Sequence, residues 1–528
     1  MLFKNPCDEG VVLGAPRCHA AQDGRPWILV ATILGSSLAF VDGTVVNVAL
    51  PALQRELAAT VADVQWVIEA YALLFSALLL VGGSLGDRFG RRRVYAIGIV
   101  VFASASALCG FAGSVRALVM ARALQGVGAA LLVPGSLAII AASFPENERG
   151  RAIGAWSGFS AMTTALGPVL GGWLIDHAGW RWAFFLNLPL ALATLFLLFW
   201  RVPESRDAEA PKQLDWAGAT LATAGLGGIV YALIESSRLG WLHPGVVAGM
   251  GGGAASLVAF VATEARSRAP MLPLSLFGSR RFTGANLLTA GLYGGLAMVL
   301  FLLPLDLIQV QGYSATAAGA ATLPLVLILF LLSRWSGGLL DRFGARLPLV
   351  VGPVIAAGGF ALLARPGVGG GYWATFFPAM VVLGLGMAVT VAPLTTTVMN
   401  AVDVSHAGIA SGVNNAVSRA SGLIAIAVMS VPLLHVFNTE LEHRLTELGL
   451  RAELVAQVQA QRTMLASAEA PSSASASERL AIDQAIAEAF VSGFRFVALA
   501  AAALALVSAV TAALTIDALP LGREGVTA

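Results

Sequence analysis

Five ionisable side chains fall inside stretches of sequence that are otherwise apolar: Asp42, Glu69, Arg122, Asp306 and Arg419. An ionisable group at the depth of a lipid bilayer is costly unless it is paired or hydrated, so each of these residues is a candidate for function. Carboxylic acids in such a setting can bind and release protons, and a nearby arginine can hold one of them ionised. These residue types therefore suggest proton chemistry in a low-dielectric environment.

The composition of the chain indicates that its natural solvent is lipid. Of its 528 residues, 57 % are hydrophobic and 12 % are charged, and the mean hydropathy is +0.79. Soluble domains are typically about 45–50 % apolar and about 25 % charged. The 58 glycines fit membrane helices that approach one another closely. The net charge of +2 gives no indication of nucleic-acid binding.

Catalytic and metal-binding patterns are not found in the sequence. Cys7, Cys18 and Cys109 have neither disulfide nor metal-ligand spacing. Residues 1–25 lack the apolar region and cleavage site of a signal peptide. A phosphate-binding loop and a nucleophile motif are also missing. We therefore expect no enzymatic activity, no metal and no cofactor, and we expect energy to come from an ion gradient rather than from ATP.

Fourteen apolar stretches are long enough to cross a membrane, which requires roughly 20 residues each. The predicted spans lie near residues 27–50, 64–85, 94–113, 117–143, 152–175, 182–200, 216–235, 245–263, 283–308, 315–338, 348–366, 375–399, 408–435 and 490–516. The sequence therefore predicts an all-α membrane protein with about fourteen transmembrane helices.

The distribution of basic residues predicts the orientation of these helices. With the N-terminus inside, about twenty Lys and Arg lie on the inner side and about five lie in short outer loops. Both termini are therefore expected in the cytoplasm. The expected location is the inner membrane of a bacterial cell. The outer loop 437–489 has a helix-like pattern broken at Pro471–Glu478, which predicts a solvated helical hairpin with a flexible tip. A docking site for an outer partner is the alternative.

A charged loop occurs twice. Gly83–Arg92 and Gly337–Arg346 agree at seven of ten positions, and each copy follows the second helix of a six-helix block. Two bundles related by an axis along the membrane normal produce such a parallel repeat. The sequence therefore predicts two six-helix bundles with two extra helices between them.

The repeated loop is expected to form a tight turn at the inner side of the membrane. Gly90 and Gly344 can adopt positive φ, and Gly83 and Gly86 allow close helix contact. Asp87 is expected to cap or face a helix N-terminus. The alternative is that the loop only sets the membrane topology. That role explains the arginines but not the paired Asp and Gly residues. A conformational latch is therefore predicted, formed by Gly83, Asp87, Arg88, Gly90, Arg91, Asp341, Arg342 and Gly344.

Several motifs resemble those of a known family. The loop that begins at Gly83 resembles the G-x-L-a-D-r-x-G-r-[RK] loop of the major facilitator superfamily. FVDGTVVNVALP (Phe40–Pro51), ARALQGVGAALLVP (Ala121–Pro134) and ALGPVLGGW (Ala165–Trp173) are similar to motifs of its fourteen-helix drug:proton antiporters, in the expected order. The resemblance covers about residues 27–520. Some members carry an acid in the thirteenth helix, where this chain instead has Arg419.

The resemblance, together with the helix count, gives an expected domain organisation. It comprises a cytoplasmic N-terminal segment (1–26), a six-helix bundle (27–201), two additional helices with linkers (202–281), a second six-helix bundle (282–516) with the outer loop 437–489, and a cytoplasmic tail (517–528). In the resembled antiporters the fifth helix lies between the bundles and biases their closure. Its counterpart here carries Gly167, Pro168, Gly171 and Gly172, for which tight helix packing is the alternative role.

The charged residues of the first bundle form a predicted proton-coupling group of Asp42, Glu69 and Arg122. All three are expected in the outer half of the membrane, where two carboxylates would share one arginine. The alternative is a structural Asp42–Arg122 ion pair with Glu69 hydrated at the interface. The resemblance implies coupling or gating roles for Asp42 and Arg122.

A substrate cavity is expected to be lined by Glu69, Gln125, Asp306, Asn414 and Arg419. For Asp306, a position at the membrane interface is favoured over the cavity. Arg419 is expected near the midplane, where it faces the cavity or pairs with an acid.

The function implied is export of small hydrophobic or amphipathic compounds in exchange for protons, by alternating access. The alternatives are a proton-coupled importer of the same fold or, from a different class, a channel or a membrane sensor. The expected partners are the substrate, protons and the lipid bilayer.

Overall fold

The computed structural model describes residues 24–206, 215–267, 270, 272–402 and 407–517. The predicted N-terminal segment 1–26 and tail 517–528 lie almost wholly outside these residues. Within the described ranges the chain is helical and contains no β-strand. Fourteen helices there are long and apolar enough to cross a membrane, which confirms the predicted fold class.

Each predicted span overlaps one of the fourteen helices, because a long apolar run in lipid must satisfy its backbone hydrogen bonds internally. The helices are α1 (Arg25–Leu57), α2 (Val61–Phe89), α3 (Arg91–Gly110), α4 (Val115–Ser143), α5 (Glu146–Ala178), α6 (Trp182–Arg201), α7 (Trp216–Leu239), α8 (Pro244–Arg266), α9 (Arg280–Leu305), α10 (Ala315–Ala320 and Leu323–Gly337), α11 (Arg346–Leu363), α12 (Tyr372–Asn400), α13 (Ala407–Glu447) and α14 (Ala476–Thr515).

The helices extend beyond the predicted spans where capping groups and polar sequence continue them. Helix α9 runs into a π-helical turn, Asp306–Val310, which adds one turn beyond Leu305. Helix α14 begins much earlier than predicted, since Ser475 and Glu478 form a capping box at its start.

Residues 437–489, predicted as an outer loop, begin and end inside helices α13 and α14. The connection contains a short helix, Ala452–Gln459, and a 3₁₀ turn, Arg462–Ser467. It buries Leu454, Val458 and Leu465. The connection therefore contains buried apolar side chains, which the sequence pattern did not reveal.

The contacts divide the chain into two compact units. Unit 1 comprises residues 1–49, 66–227 and 252–273, and unit 2 comprises residues 50–65, 228–251 and 274–528. The core of unit 1 draws on all six helices α1 to α6 and includes Phe102, Trp156 and Leu198. In unit 2, Phe360 and Phe490 are fully buried on α11 and α14.

Candidate functional site

A buried ion pair joins α1 to α4 in unit 1. Nη1 of Arg122 donates to Oδ2 of Asp42 at 2.5 Å, and each residue is 1 % exposed. Nε of Arg122 donates to the Val67 carbonyl oxygen at 3.0 Å, and the guanidinium lies 4.2 Å from the centre of the Tyr71 ring. Helix α2 therefore holds the arginine through its backbone and through a cation–π contact.

Two buried amides complete the surroundings of Asp42. Gln125 donates to Oδ1 of Asp42 at 2.7 Å, and Asn187 donates to the same oxygen at 3.1 Å. Both amides also donate to the Ser106 hydroxyl, which in turn donates to the Phe184 carbonyl at 2.8 Å. The carboxylate thus accepts three hydrogen bonds, one of them charge-assisted, and this arrangement suits an ionised carboxylate.

The sequence did not single out Asn187 or Ser106 for this site. Asn187 begins the second part of α6, and Ser106 lies one turn before the end of α3. Both are fully buried. The available signal was an isolated polar residue within an apolar helix, and such residues in membrane proteins usually have a partner.

Glu69 lies close in sequence to this network but outside it. It is fully buried, and neither carboxyl oxygen has a hydrogen-bond partner among the described residues. Tyr71, two positions later on α2, faces Arg122. Because each helical residue turns the chain by about 100°, residues two apart point in nearly opposite directions. Glu69 therefore lies on the face of α2 turned away from the arginine.

The Asp42–Arg122 ion pair of the alternative interpretation is present, but neither interpretation places Glu69 correctly in this conformation. Arg122 bonds to Asp42 and Gln125 and is not shared with Glu69. Glu69 is not hydrated at an interface either, since it is buried. The physical reason is the helical phase of α2, which places Glu69 on the face opposite Tyr71, the residue that contacts Arg122.

The accessory helix α7 approaches α2 one turn beyond Glu69. Leu73, one turn beyond Glu69 on the same face, would lie 3.2 Å from a Cβ added to Gly227 of α7. Ser76, a further turn along, is buried with no partner for its hydroxyl in the described part of the chain. This face of α2 thus combines an apolar surface with unsatisfied polar groups.

Asp306, favoured as an interfacial acid, is instead 1 % exposed in the π-helical turn after α9. Its Oδ2 accepts from Nε2 of Gln311 at 3.5 Å, a long hydrogen bond. Its Oδ1 has no partner among the described residues. Asp306 is thus buried within the protein at the end of α9, and its position at the membrane interface stays a prediction.

The remaining candidates for the substrate cavity differ in their hydrogen-bond partners and in their burial. Gln125 belongs to the Asp42 network. Asn414 of α13 donates to Asn286 at 3.1 Å and to Thr289 at 2.7 Å, both on α9. Its amide therefore joins two helices. Arg419 itself is half-buried, and a substrate-binding role for it stays a prediction.

The first copy of the repeated loop forms a tight turn at Gly90, whose φ is +110°. Asp87 bonds to Arg91 at 2.7 Å within this turn, and Arg88 is exposed. Asp87 does not cap α3. Instead Glu204, beyond the end of α6, accepts from the backbone N–H groups of Arg92 at 3.0 Å and Arg93 at 3.2 Å.

The φ of Gly90 favours glycine by itself, and Glu204 adds a steric reason. A Cβ at Gly90 would lie 2.8 Å from the Glu204 carboxylate. Arg91 N–H also donates to the Ser205 carbonyl at 2.8 Å. The loop is thus fastened to the chain that leaves α6, by a residue that no local sequence pattern marks as a cap.

Removing this cap gives a measurable prediction. We expect Glu204→Ala to lower the free energy of unfolding by about 1–2 kcal/mol, because a carboxylate at a helix N-terminus satisfies backbone donors and opposes the helix dipole. Thermal unfolding in detergent measures it. Asp517→Asn, which breaks a surface pair with Arg281, should change stability by less than about 1 kcal/mol. Equal losses in the two variants would contradict the capping role.

The second copy of the loop repeats the turn but not all of its contacts. Gly344 has a φ of +71° and follows a short helix, Leu339–Phe343. Arg342 is exposed, while the side chain of Asp341 lies outside the described set. The close helix approach expected at Gly83 and Gly86 occurs at Gly82 instead, where an added Cβ would collide with the Ala130 carbonyl of α4. A latch role for both copies stays a prediction.

Helix α5 packs tightly on α1 within unit 1. A Cβ at Gly167 would overlap Oγ1 of Thr44, and a Cβ at Gly171 would lie 2.7 Å from Val45. Pro168 lies within the helix, and Gly172 is buried. Two glycines one turn apart thus place α5 directly against the segment that follows Asp42.

The contact at Gly167 can be tested with a compensating change. We expect Gly167→Ala to destabilise the protein by about 1–3 kcal/mol through overpacking, and Thr44→Ala added to it should restore part of the loss. Gly154→Ala on the same helix is the control, because no atom lies within 4 Å of its added Cβ. Thermal unfolding in detergent separates the variants, and a Gly167→Ala protein as stable as the control would show that α5 has room to move.

Comparison with known proteins agrees with this architecture. The sequence pattern of the Major Facilitator Superfamily matches residues 32–426. The tetracenomycin C resistance and export protein of Streptomyces glaucescens is 34 % identical over 418 residues, covering 77 % of this chain and 76 % of that protein. The puromycin resistance protein of Streptomyces alboniger is 38 % identical over 435 residues, covering 81 % and 86 %.

A solved structure shares the fold. A bacterial homologue of the human lysosomal transporter Spinster, inward-facing and unoccupied, matches with a TM-score of 0.65 at 16 % identity, over 94 % of this chain and 99 % of that chain. At that identity the likeness shows the fold alone. The family match and the drug-resistance relatives decide the assignment: the chain belongs to the Major Facilitator Superfamily and is a multi-pass membrane transporter, not an enzyme.

Proposed function

We propose that this transporter exports small hydrophobic or amphipathic compounds from a bacterial cell in exchange for protons, by alternating access. Relatives that span most of the chain are named for resistance to, or export of, tetracenomycin C and puromycin. Their names support efflux of small molecules as the direction and type of transport.

One observation carries the proton-coupling part of the proposal. Glu69 is a fully buried carboxyl group with no hydrogen-bond partner among the described residues. An ionised carboxylate in such a place is costly, whereas a protonated carboxyl is far less so. Asp42, by contrast, has three donors directed at it. Glu69 is therefore the better carrier of an exchangeable proton, and Asp42 and Arg122 form a fixed charge pair on the opposite face of α2.

Loss of that proton would supply the conformational drive. A deprotonated Glu69 needs water or a cation, so deprotonation favours states in which the Glu69 face of α2 opens. A cationic group of a substrate could meet the same need, and substrate and proton would then exclude each other at Glu69. The apolar surface on this face would bind the remainder of a hydrophobic compound by burial of area.

The proposed setting is the inner membrane with both termini in the cytoplasm. The bias of Lys and Arg toward one side of the predicted spans supports it, because basic loops remain on the cytoplasmic side.

Transport in everted membrane vesicles tests the proposal. Vesicles with an acidic interior are screened against dyes, antibiotics and metabolites while their internal pH is followed. We expect at least one compound to accumulate inside and to release protons as it enters. A proton-coupled importer would not show this pairing, and a broad screen without any substrate-induced proton movement would contradict antiport.

A further inference from the structure

Three side chains from distant parts of the chain form a closed triangle of hydrogen bonds within unit 2. Nε2 of Gln309 donates to Oε1 of Gln54 at 2.9 Å and to Oγ of Ser467 at 2.7 Å. Oγ of Ser467 donates to Oε1 of Gln54 at 3.1 Å. We call this group of Gln54, Gln309 and Ser467 the outer clasp.

The three residues lie on the same side of the membrane by helix counting. Gln54 is near the end of α1, and Gln309 lies in the π-turn that ends α9. Ser467 ends the 3₁₀ turn between α13 and α14. With fourteen spans, all three positions are opposite the N-terminus. Within the clasp, Gln54 follows closely after residue 50, where α1 passes from unit 1 into unit 2.

The hydrogen bonding of the clasp is incomplete. Gln54 is 3 % exposed, yet its Nε2 has no partner in the described part of the chain, and neither does Oε1 of Gln309. Unsatisfied buried polar groups weaken a network, so this cluster is poorly suited to be a permanent structural anchor. It is better suited to a contact that opens and closes.

The backbone around the clasp is also unusual. Gln309 lies in a π-helical turn, an irregularity common at functional positions. Leu465, two residues before Ser467, has φ 52° and ψ −129°, while its side chain is 1 % exposed. Such strain persists only where surrounding contacts over-determine the conformation. Burial of Leu465 thus fixes the turn that presents Ser467 to the two glutamines.

We propose that the outer clasp is a latch, in which residues 448–475 hold the outer end of α1 to the end of α9. The latch opens each time the transporter exposes its binding site to the outer side and closes again afterwards. This role rests on the proposed alternating-access function. With this role, the connection between α13 and α14 takes part in the transport cycle and is not solely structural.

Cross-linking tests whether the clasp must open. Gln54→Cys and Ser467→Cys are combined in a protein with Cys7 and Cys18 changed to Ser and the buried Cys109 retained. We expect a short bis-maleimide to join the two thiols and stop transport, while N-ethylmaleimide, which modifies both without joining them, leaves transport running. A cross-linked protein that transports normally, or two thiols that cannot be joined, overturns the proposal.

A distance measurement tests the latch without relying on transport. Spin labels at the exposed positions Arg55 and Glu469 report the separation of the two segments by electron resonance. We expect Gln309→Leu to enlarge the longer-distance population about five-fold, because it removes two hydrogen bonds that hold the closed state. Gln461→Leu is the control, since Gln461 bonds only within its own segment.

An unchanged distance distribution in Gln309→Leu would overturn the latch. The two measurements also separate this inference from the proposed function. If the uncross-linked protein shows no proton-driven export, the proposed function fails, whereas the distance distribution still decides whether the clasp holds the segments together.

Discussion

Glu69→Gln is expected to abolish proton-driven accumulation of substrate while the protein remains folded in the membrane. Glutamine has nearly the shape of a protonated glutamate but cannot release a proton. Neither carboxyl oxygen of Glu69 has a hydrogen-bond partner among the described residues, so the substitution removes no bond and should change the free energy of unfolding by less than about 1 kcal/mol. Accumulation in vesicles with an imposed pH gradient measures the effect.

The same variant separates coupling from substrate binding. We expect Glu69→Gln to retain exchange of labelled for unlabelled substrate across the membrane, because exchange requires no net proton movement. Ser76→Ala is the matched control, since Ser76 lies two turns further along the same buried face of α2 and also lacks a partner within the described chain. Normal pH-dependent transport by Glu69→Gln would rule out Glu69 as the proton carrier.

Breaking the Asp42–Arg122 pair is expected to have the largest effect on stability. Asp42→Asn leaves a buried guanidinium without a counter-charge, and Arg122→Gln leaves a buried carboxylate. Removal of one partner of a buried pair typically costs about 3–5 kcal/mol. The double variant Asp42→Asn/Arg122→Gln has no net charge change and should recover most of that stability. It should not recover transport, because the buried charge pair that links α1, α2 and α4 is gone.

Thermal unfolding in detergent and vesicle transport together measure this double-mutant cycle. Asp87→Asn is the comparison, because its ion pair with Arg91 is partly exposed and such pairs contribute less than about 1 kcal/mol. If the single variants are no less stable than Asp87→Asn, the buried pair does not contribute to the stability of the fold as expected. Proton-driven transport by the double variant would show that neither charge is needed for coupling.

The sequence was sufficient for the helices and for one ion pair. Fourteen apolar runs became fourteen helices because lipid leaves the backbone no other way to satisfy its hydrogen bonds. The sequence placed Asp42 and Arg122 in the same half of the membrane, and the two side chains do form an ion pair. Pairing at a common depth depends only on helical rise and direction, which the sequence supplies.

The position of Glu69 could not be obtained in the same way. Periodicity places Glu69 and Tyr71 on opposite faces of α2, but it does not say which face meets α4. That choice is made by Gly126 of α4, where an added Cβ would collide with the Tyr71 carbonyl. A close approach of two helix backbones is a feature of the tertiary structure, which periodicity does not predict. Both expectations for Glu69 therefore missed its buried position.

The residues missed entirely act across long sequence distances. Asn187 reaches Asp42 from α6, and Glu204 caps a helix that begins at Arg91. The burial of Asp306 was also missed, because it lies in a π-turn at the end of α9 that no hydropathy pattern reveals. Helix counts and pairs at equal depth follow from local physics, whereas these contacts depend on how the loops fold back.

The most direct test of the account is proton release on substrate binding by the purified protein in weakly buffered detergent solution. A substrate found in the vesicle screen is added, and the pH change is recorded for the wild type, Glu69→Gln and Ser76→Ala. The account predicts proton release by the wild type and by Ser76→Ala, and none by Glu69→Gln. Equal release by Glu69→Gln and the wild type would contradict the claim that Glu69 carries the exchanged proton.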